Sequence, residues 1–70
     1  MEESIRNDVN RLRTKREITQ EELAHAIGVS RQTIIAIEKG NYTPSVLLAL
    51  KLAKYFGVPV ERLFTVHHES

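Results

Sequence analysis

The segment GVSRQTI, residues 28–34, places two long polar side chains at the start of a predicted helix. Ser30 is a residue type that caps helices, so Arg31 and Gln32 fall in the first turn, where their side chains extend outward. An arginine can donate two parallel hydrogen bonds to guanine, and a glutamine can bond to adenine in the same two-pronged way. The chemistry predicted for this helix tip is therefore recognition of base edges in DNA.

Ile35 and Ala36 lie about one turn further along the same outward face. An isoleucine exposed to water is unfavourable, whereas the same side chain fits against the methyl group of thymine. The alternative is that Arg31 and Gln32 are only the solvated start of a helix. The choice between these interpretations depends on the elements on either side.

The preceding element is a short helix with clear boundaries. Thr19 and Glu22 form a capping-box pair at its start, and Gly28 ends it. The helix that follows runs through Lys39. Two short helices joined by a tight turn containing glycine form a helix-turn-helix, whose second helix has the right width for the major groove. We place this motif at about residues 20–39.

Helical spacing and turn residues predict three further helices. Apolar residues recur at helical spacing in the first of them: Ile5, Val9 and Leu12. Its N-cap is either Ser4 or Asn7. Pro44 is placed in the first turn of a fourth helix that ends after Phe56, and PVERLF supports a short fifth helix. The tail FTVHH is expected to be extended or frayed.

The composition is that of one folded domain. The 70 residues are 41% hydrophobic and 27% charged, and the lack of cysteine excludes disulfides and thiolate zinc sites. We predict an all-α, five-helix domain over residues 1–70, with oligomerisation adding the burial that so small a core needs. The net charge of +1 leaves only local patches to attract nucleic acid. No run is long enough for a membrane span and the start MEES is unlike a signal peptide, so a cytoplasmic protein is expected.

Several sequence features occur together in register. They are Gln20 at the start of the second helix, LA at Leu23 and Ala24, GVS in the turn, Ile34, Glu38 and Gly40, all within TQEELAHAIGVSRQTIIAIEKG. With these features, and with NYTPS and LKLAKYFGV further on, the chain from Val9 to Phe64 resembles the Cro/repressor-type helix-turn-helix family of prokaryotic and phage transcriptional regulators. The resemblance implies a dimer with the third helix of each subunit in successive major grooves, about 10 bp apart. We therefore expect a homodimeric regulator, a repressor, that binds a palindromic double-stranded DNA site.

Polar residues flank the third helix and are candidates for phosphate contacts, which fix the register of a protein on DNA without reading its sequence. The candidates are Thr19, Gln20, Thr33, Lys39, Asn41 and Tyr42. The resemblance implies such contacts for Gln20 and for the loop after the third helix. The alternative for each is capping or solvent exposure: the Thr19 hydroxyl already serves the capping box, and Tyr42 could pack at the rim of the core.

Two charged residues are expected to turn inward and to pair. Glu38 lies four residues after Ile34, and Arg13 lies four residues after Val9, so each shares a helix face with a core position. A charge that faces the core needs a partner. We expect an ion pair between Arg13 and Glu38, as the corresponding positions pair in the family that the sequence resembles.

The segment from Pro44 onward holds more apolar residues than one small domain can bury. An inward stripe on the fourth helix is predicted to consist of Val46, Ala49, Leu50, Ala53 and Phe56. This leaves Leu47 and Leu48 near the edge or outside, unless they are scattered surface residues of the common kind. We predict an apolar two-fold interface within about residues 47–66, formed by Leu47, Leu48, Val60, Leu63 and Phe64.

The chain termini offer one further element. Residues 65–67 can pair with Ile5 and Arg6 in a small β-ribbon, as in some small relatives of the family, and the sequence leaves this option open.

Other classes of protein find little support. There is no glycine-rich phosphate loop, no Ser-His-Asp set that can be placed and no spaced ligand group, so no catalytic residue, metal or cofactor is predicted. His25 faces outward on a helix, and the adjacent His67 and His68 point to opposite sides of an extended tail. The competing interpretation is a helix-turn-helix used only for protein interaction, as in an antitoxin-like or adaptor domain. Such a module should lack long donors at the helix tip, whereas this chain keeps Arg31 and Gln32.

No ligand-sensing domain is predicted beside the DNA-binding domain, because the helix-turn-helix fold uses the entire chain. Control by protein concentration, by dimerisation or by a regulatory partner protein all remain open.

Overall fold

The computed structural model describes residues 2–69, and the side chains of residues 3–68. Within that range five helices lie between two terminal strands. In chain order they are β1 (Glu2–Asn7), α1 (Val9–Lys15), α2 (Gln20–Ile27), α3 (Arg31–Glu38), α4 (Val46–Phe56), α5 (Val60–Leu63) and β2 (Phe64–Glu69). The all-α prediction is right for the five helices but incomplete, because the termini form a two-stranded antiparallel sheet.

The boundaries of α2 and α3 follow from their capping residues. The Glu22 amide donates to Thr19 Oγ1 at 3.0 Å, and the Thr19 amide donates to Glu22 Oε1 at 2.8 Å, which confirms the predicted capping box. Ser30 Oγ accepts from the Thr33 amide at 3.2 Å and begins α3. Gly28 ends α2 in the left-handed conformation, with φ of 88°, which glycine adopts without steric cost.

The start of α4 differs from the prediction. Pro44 precedes the helix, and Ser45 is the N-cap, with its Oγ accepting from the Leu48 amide at 3.2 Å. A serine hydroxyl satisfies one of the unpaired amides of the first turn, which proline cannot do, so the placement of Pro44 in that turn is wrong. The helix ends at Gly57, as predicted.

The start of α1 is shared between two residues. Asn7 Oδ1 accepts from the Val9 amide at 3.1 Å, while the formal N-cap, Asp8, makes no side-chain capping bond. Ser4 and Ile5 lie in β1, so the prediction that Ile5 belongs to the apolar face of this helix is wrong. The helical spacing of Ile5 is accidental, because a residue before the cap has no helical geometry.

The strands β1 and β2 form the ribbon that the sequence left open. The pairing is antiparallel, with Ile5 opposite Val66, Arg6 opposite Thr65 and Asn7 opposite Phe64. Directly opposed residues share one side of the ribbon, and side chains alternate between the two sides. Ile5, Val66 and Phe64 are therefore on the same side.

The core lies among all five helices. Its buried members are Val9, Leu23, Ala24, Ile27, Ile34, Ile37, Leu48, Leu52, Ala53, Phe56 and Leu63. The inward stripe of α4 thus contains Ala53 and Phe56 as predicted, but Leu48 is buried, with 8% exposed, whereas Val46 and Leu50 are 76% and 51% exposed. The helix is apolar over most of its circumference, so helical periodicity alone did not determine which stripe faces the core.

Among residues 2–69, none of the helices has the length and apolar character needed to span a bilayer.

Candidate nucleic-acid interface

The turn between α2 and α3 fixes the relative placement of the two helices. The Gly28 and Val29 amides both donate to the Ala24 carbonyl, at 2.8 Å and 3.0 Å, so the chain reverses within three residues. Buried Leu23 and Ile27 hold α2, and buried Ile34 and Ile37 hold α3. With its inner face fixed in this way, α3 presents its first turn to solvent.

The four candidate base-reading residues lie on that outer part of α3. Arg31 and Gln32 are exposed, and their side chains make no hydrogen bond or ion pair to another described residue. Ile35 and Ala36 are only half-buried, which corrects the expectation of a fully exposed isoleucine. The tip thus offers two free polar side chains beside a smaller apolar surface.

The phosphate candidates lie at the start of α2, on α3 and just after the end of α3, and they differ in exposure and hydrogen bonding. Thr19 is exposed and serves the capping box, and Thr33 is half-buried with its hydroxyl 3.0 Å from Ser30 Oγ. Lys39, Asn41 and Tyr42 are exposed at the end of α3 and in the following loop. Gln20 is half-buried at the start of α2.

The carboxylate of Glu38, at the last residue of α3, joins three helices. Arg13 Nε donates to Glu38 Oε2 at 2.7 Å and Arg13 Nη2 to Oε1 at 3.2 Å. The same Oε1 accepts from Asn10 Nδ2 at 3.0 Å and from Gln20 Nε2 at 3.1 Å. We call these four residues, Asn10, Arg13, Gln20 and Glu38, the Glu38 cluster. It brings the predicted ion-pair partners into contact and adds two amides.

The charge state of the cluster follows from these bonds. Only 5% of the Glu38 side chain and 14% of the Arg13 side chain are exposed. Burial by itself would raise the pKa of the Glu38 carboxyl, but hydrogen bonds from Arg13, Asn10 and Gln20, together with the charge of Arg13, hold that pKa below its usual value. The bond to Glu38 in turn raises the pKa of Arg13. Both groups are therefore ionised at neutral pH.

Sequence reasoning did not assign the amide of Asn10 to this cluster. Asn10 lies three residues before Arg13, which places both side chains on one side of α1. That spacing was the available signal, but an exposed asparagine on a helix has many possible partners. The contact with Glu38 becomes visible only when α1 and α3 are packed together.

The basic segment RLRTKR is mostly engaged within the molecule. Arg11 pairs with Asp8 at 3.0 Å, and Arg13 belongs to the Glu38 cluster. Arg16 donates to the carbonyl oxygens of Tyr55 and Phe56, at 3.0 Å and 2.9 Å, and its guanidinium lies 5.5 Å and 5.3 Å from the centres of their rings. These contacts tie α1 to the end of α4, so the segment as a whole is not a basic patch for DNA.

A second surface is apolar and lies between the ribbon and α4. A groove of about 250 Å³ is lined there by Ile5, Thr43, Pro44, Val46, Ala49, Leu50, Val60 and Phe64. We call this surface the ribbon–α4 face. Val66, opposite Ile5 in the ribbon, continues it and is also exposed.

The predicted dimer residues divide between this face and other places. Val60 and Phe64 line the ribbon–α4 face, whereas Leu48 and Leu63 are buried in the core, the latter with 1% exposed, and are not accessible to a second chain. Leu47 is exposed but lines a different groove, with Val29 and other residues. The correction for Leu48 has the same cause as the misplaced stripe of α4, while Leu47 is exposed as predicted and its part in an interface stays a prediction.

The three histidine side chains have different surroundings. His25 is exposed on α2, His67 Nε2 is 3.1 Å from Arg6 Nη2, and His68 Nδ1 is 3.2 Å from Glu3 Oε2. In the part of the chain that the structure describes, no three histidine, cysteine, aspartate or glutamate side chains come together in a way that could hold a metal ion.

Residues 9–63 match the Helix-turn-helix family, and the matched range contains α1 to α5 with the α2–α3 turn. The chain belongs to this family of DNA-binding transcriptional regulators.

Individual relatives of this chain are also named as transcriptional regulators or repressors. An uncharacterised HTH-type transcriptional regulator of Methanocaldococcus jannaschii is 55% identical over 60 residues, which is 86% of this chain and 91% of that protein. The cryptic phage CTXphi transcriptional repressor RstR of Vibrio cholerae is 46% identical over 52 residues, 74% of this chain and 47% of RstR. Among solved structures, the SOS-response transcriptional repressor LexA of Eubacterium rectale superposes with a TM-score of 0.75 at 36% identity, over 79% of this chain and 58% of that chain.

Proposed function

We propose that this chain is a repressor that binds a palindromic DNA operator as a homodimer, in the cytoplasm where the DNA lies. The observation that carries the proposal is the tip of α3, where exposed Arg31 and Gln32 have no partner among the described residues. Long donors held on a rigid helix are what base recognition in the major groove requires. The names of the related proteins RstR and LexA support repression.

Each residue of the tip has a distinct role in this proposal. Arg31 donates two hydrogen bonds to guanine, and Gln32 bonds to the edge of adenine. The accessible part of Ile35 and the small Ala36 admit the helix to the groove and contact a thymine methyl. Base recognition thus combines polar donors at the tip with apolar contacts one turn further along.

Gln20 is the phosphate contact that the structure favours most. Its Nε2 carries two hydrogens, and one of them is directed to Glu38 Oε1 at 3.1 Å. The bond holds the amide in place and leaves the second hydrogen for a phosphate oxygen. The position of Gln20 at the first residue of α2 adds the positive end of the helix dipole.

The remaining phosphate candidates lie at the start of α2, on α3 and after the end of α3. Lys39, Asn41 and Tyr42 are exposed and follow α3, where the backbone of the operator would pass. The Thr19 hydroxyl accepts from the Glu22 amide and can still donate its hydrogen outward, and the Thr33 hydroxyl is free to donate outward when Ser30 Oγ is the donor of the bond between them. These contacts position the protein without selecting a sequence.

The ribbon–α4 face is the surface that we assign to the second subunit. Its exposed members Val46, Leu50 and Ile5 form a contiguous apolar area with half-buried Val60 and Phe64. A stable interface buries about 800 Å² per subunit, roughly a sixth of the 5054 Å² that this chain exposes alone. A groove of this kind can supply the apolar centre of such an interface, with polar residues at the rim.

The proposal is tested by selecting DNA that the protein binds from a random pool. We expect a two-fold symmetric consensus whose half-sites lie about 10 bp apart. A consensus without symmetry would contradict the dimer, and failure to enrich any sequence would instead favour the protein-interaction module. A reporter gene with the selected site across its promoter should then be expressed less when the protein is present; increased expression would contradict repression.

A further inference from the structure

Asn7 connects the ribbon to the recognition helix. It is the last residue of β1, where it pairs with Phe64. Its Nδ2 donates to the carbonyl oxygen of Ile37 at 2.9 Å, and its Oδ1 accepts from the Val9 amide at 3.1 Å. One side chain therefore joins β1, the start of α1 and the end of α3.

The bond to Ile37 acts on the last turn of α3. Carbonyl groups at the end of a helix have no partner within the helix and must find one elsewhere. The Ile37 carbonyl accepts from the Gly40 amide at 3.0 Å and from Asn7, while the Ile37 side chain is fully buried. The end of α3 is thus attached to the ribbon as well as to the core.

Asn7 also lies beside the proposed subunit interface. Phe64, directly opposite Asn7, lines the ribbon–α4 face together with Ile5, which is two residues earlier on the same side of β1. The backbone beside this pair is also fixed, because the Asp8 amide donates to the Leu63 carbonyl at 3.0 Å. Asn7 therefore connects a residue that lines the interface with the end of α3.

We infer that Asn7 is a positioning residue that sets the orientation of α3 relative to the two-fold axis, and so determines which spacing of half-sites the dimer accepts. The inference rests on the proposed dimer. Each base pair added between half-sites moves the second one by about 3.4 Å and turns it by about 35°. A dimer whose two α3 helices are held rigidly accepts one spacing, whereas a dimer whose helices are loosely attached accepts several.

Two substitutions separate the bonds that Asn7 makes. Asn7→Asp keeps an oxygen for the Val9 amide but replaces the donor to Ile37 with a second acceptor, so only the attachment of α3 is lost. Asn7→Ala loses both bonds and adds no charge, which keeps the test available if the aspartate variant does not fold. Ser4→Asp is the matched control, because Ser4 is exposed on the same strand and the charge change is the same.

The measurement is the affinity for operators whose half-sites are separated by the preferred distance and by one or two base pairs more or fewer, with a single half-site alongside. Wild type and Ser4→Asp should bind about 100-fold more weakly to an operator with the wrong spacing, because the second subunit cannot contact its half-site. Asn7→Asp and Asn7→Ala should lose less affinity than wild type at the wrong spacings, because α3, still held by buried Ile34 and Ile37, gains some freedom of orientation when the bond to Ile37 is removed. Their affinity for the single half-site should be unchanged.

Three results would overturn the inference. Asn7 variants that keep the spacing preference of wild type show that Asn7 does not position α3. Variants that lose affinity for the single half-site as much as for the full operator show a general structural role. A wild-type protein with no spacing preference contradicts the dimer itself, and this result is read from the wild type alone.

Discussion

At the scale of the residue, Glu38 shows how a charge near the core is made tolerable. Its two oxygens receive four hydrogen bonds from Arg13, Asn10 and Gln20. An ion pair out of water contributes to stability only when such bonds satisfy its remaining polar atoms. The cluster therefore joins α1, α2 and α3 and holds Gln20 at the edge of the proposed DNA surface.

The lowered pKa of Glu38 predicts how stability depends on pH. Because the native carboxyl binds its proton less readily than the unfolded one, whose usual pKa is 4.5, its stabilising contribution is complete above that value. The contribution is lost as the pH falls through the native pKa. We expect the difference in free energy of unfolding between wild type and Glu38→Gln to shrink as the pH is lowered from 7 to 3.

Urea unfolding at each pH measures this difference. The other carboxyl groups titrate in both proteins, so their contributions cancel. A difference that stays constant, or grows, on acidification would show that the Glu38 carboxylate does not stabilise the fold.

At the scale of the element, local signals determined some boundaries and tertiary packing determined the rest. The caps of α2 and the N-cap of α3 were predictable because Thr19, Glu22 and Ser30 act on amides within three residues of themselves. The inward side of α4 was not, because α4 is apolar on several sides and its orientation depends on α2 and α5. The sequence did not decide whether the two strands form, since their pairing joins the two ends of the chain.

The candidate site shows the same division between local signals and tertiary packing. The placement of Arg31 and Gln32 in an exposed first turn was predictable because it is a local property, whereas Asn7 and Asn10 acquire partners about 30 residues away. An asparagine gives no sequence signal for which distant carbonyl or carboxylate it will meet. Contacts of that kind depend on the packed fold.

The contact of Arg16 with α4 predicts that replacing Arg16 destabilises the protein more than replacing its neighbour Lys15. Arg16→Ala removes two hydrogen bonds to the last carbonyls of α4 and the contact with the Tyr55 and Phe56 rings. We expect a loss of about 1 kcal/mol in the free energy of unfolding. Lys15→Ala, the control at the exposed neighbouring position, should change it by less than about 0.5 kcal/mol. Equal effects in urea unfolding would mean that the Arg16 contacts do not stabilise the end of α4.

At the scale of the whole molecule, the fold leaves two surfaces of opposite character exposed. The tip of α3 is polar, and the ribbon–α4 face is apolar. Since the net charge is only +1, attraction to DNA must come from local contacts around α3. The apolar face can pair two chains so that both tips act on one DNA molecule.

The proposed subunit interface is tested by substitution of two leucines on α4. Leu50→Asp places a charge in the ribbon–α4 face and should convert the proposed dimer to monomer at micromolar concentration, because an unpaired charge would be buried. Leu47→Asp is the matched control, since Leu47 is exposed on the same helix but lines a different groove. Sedimentation measures whether each variant is a monomer or a dimer. A Leu50→Asp protein that stays dimeric, or a Leu47→Asp protein that dissociates, would place the interface elsewhere.

The central claim, that the tip of α3 reads DNA sequence, is tested most directly by comparing the DNA selected by Arg31→Ala with that selected by wild type. We predict that Arg31→Ala loses about 1 to 3 kcal/mol of discrimination at one base position in each half-site. Gln20→Ala should weaken all sequences about equally, and Arg11→Ala, a change of another exposed arginine, should leave the consensus as it is. A consensus that Arg31→Ala does not alter would contradict the claim that Arg31 reads a base.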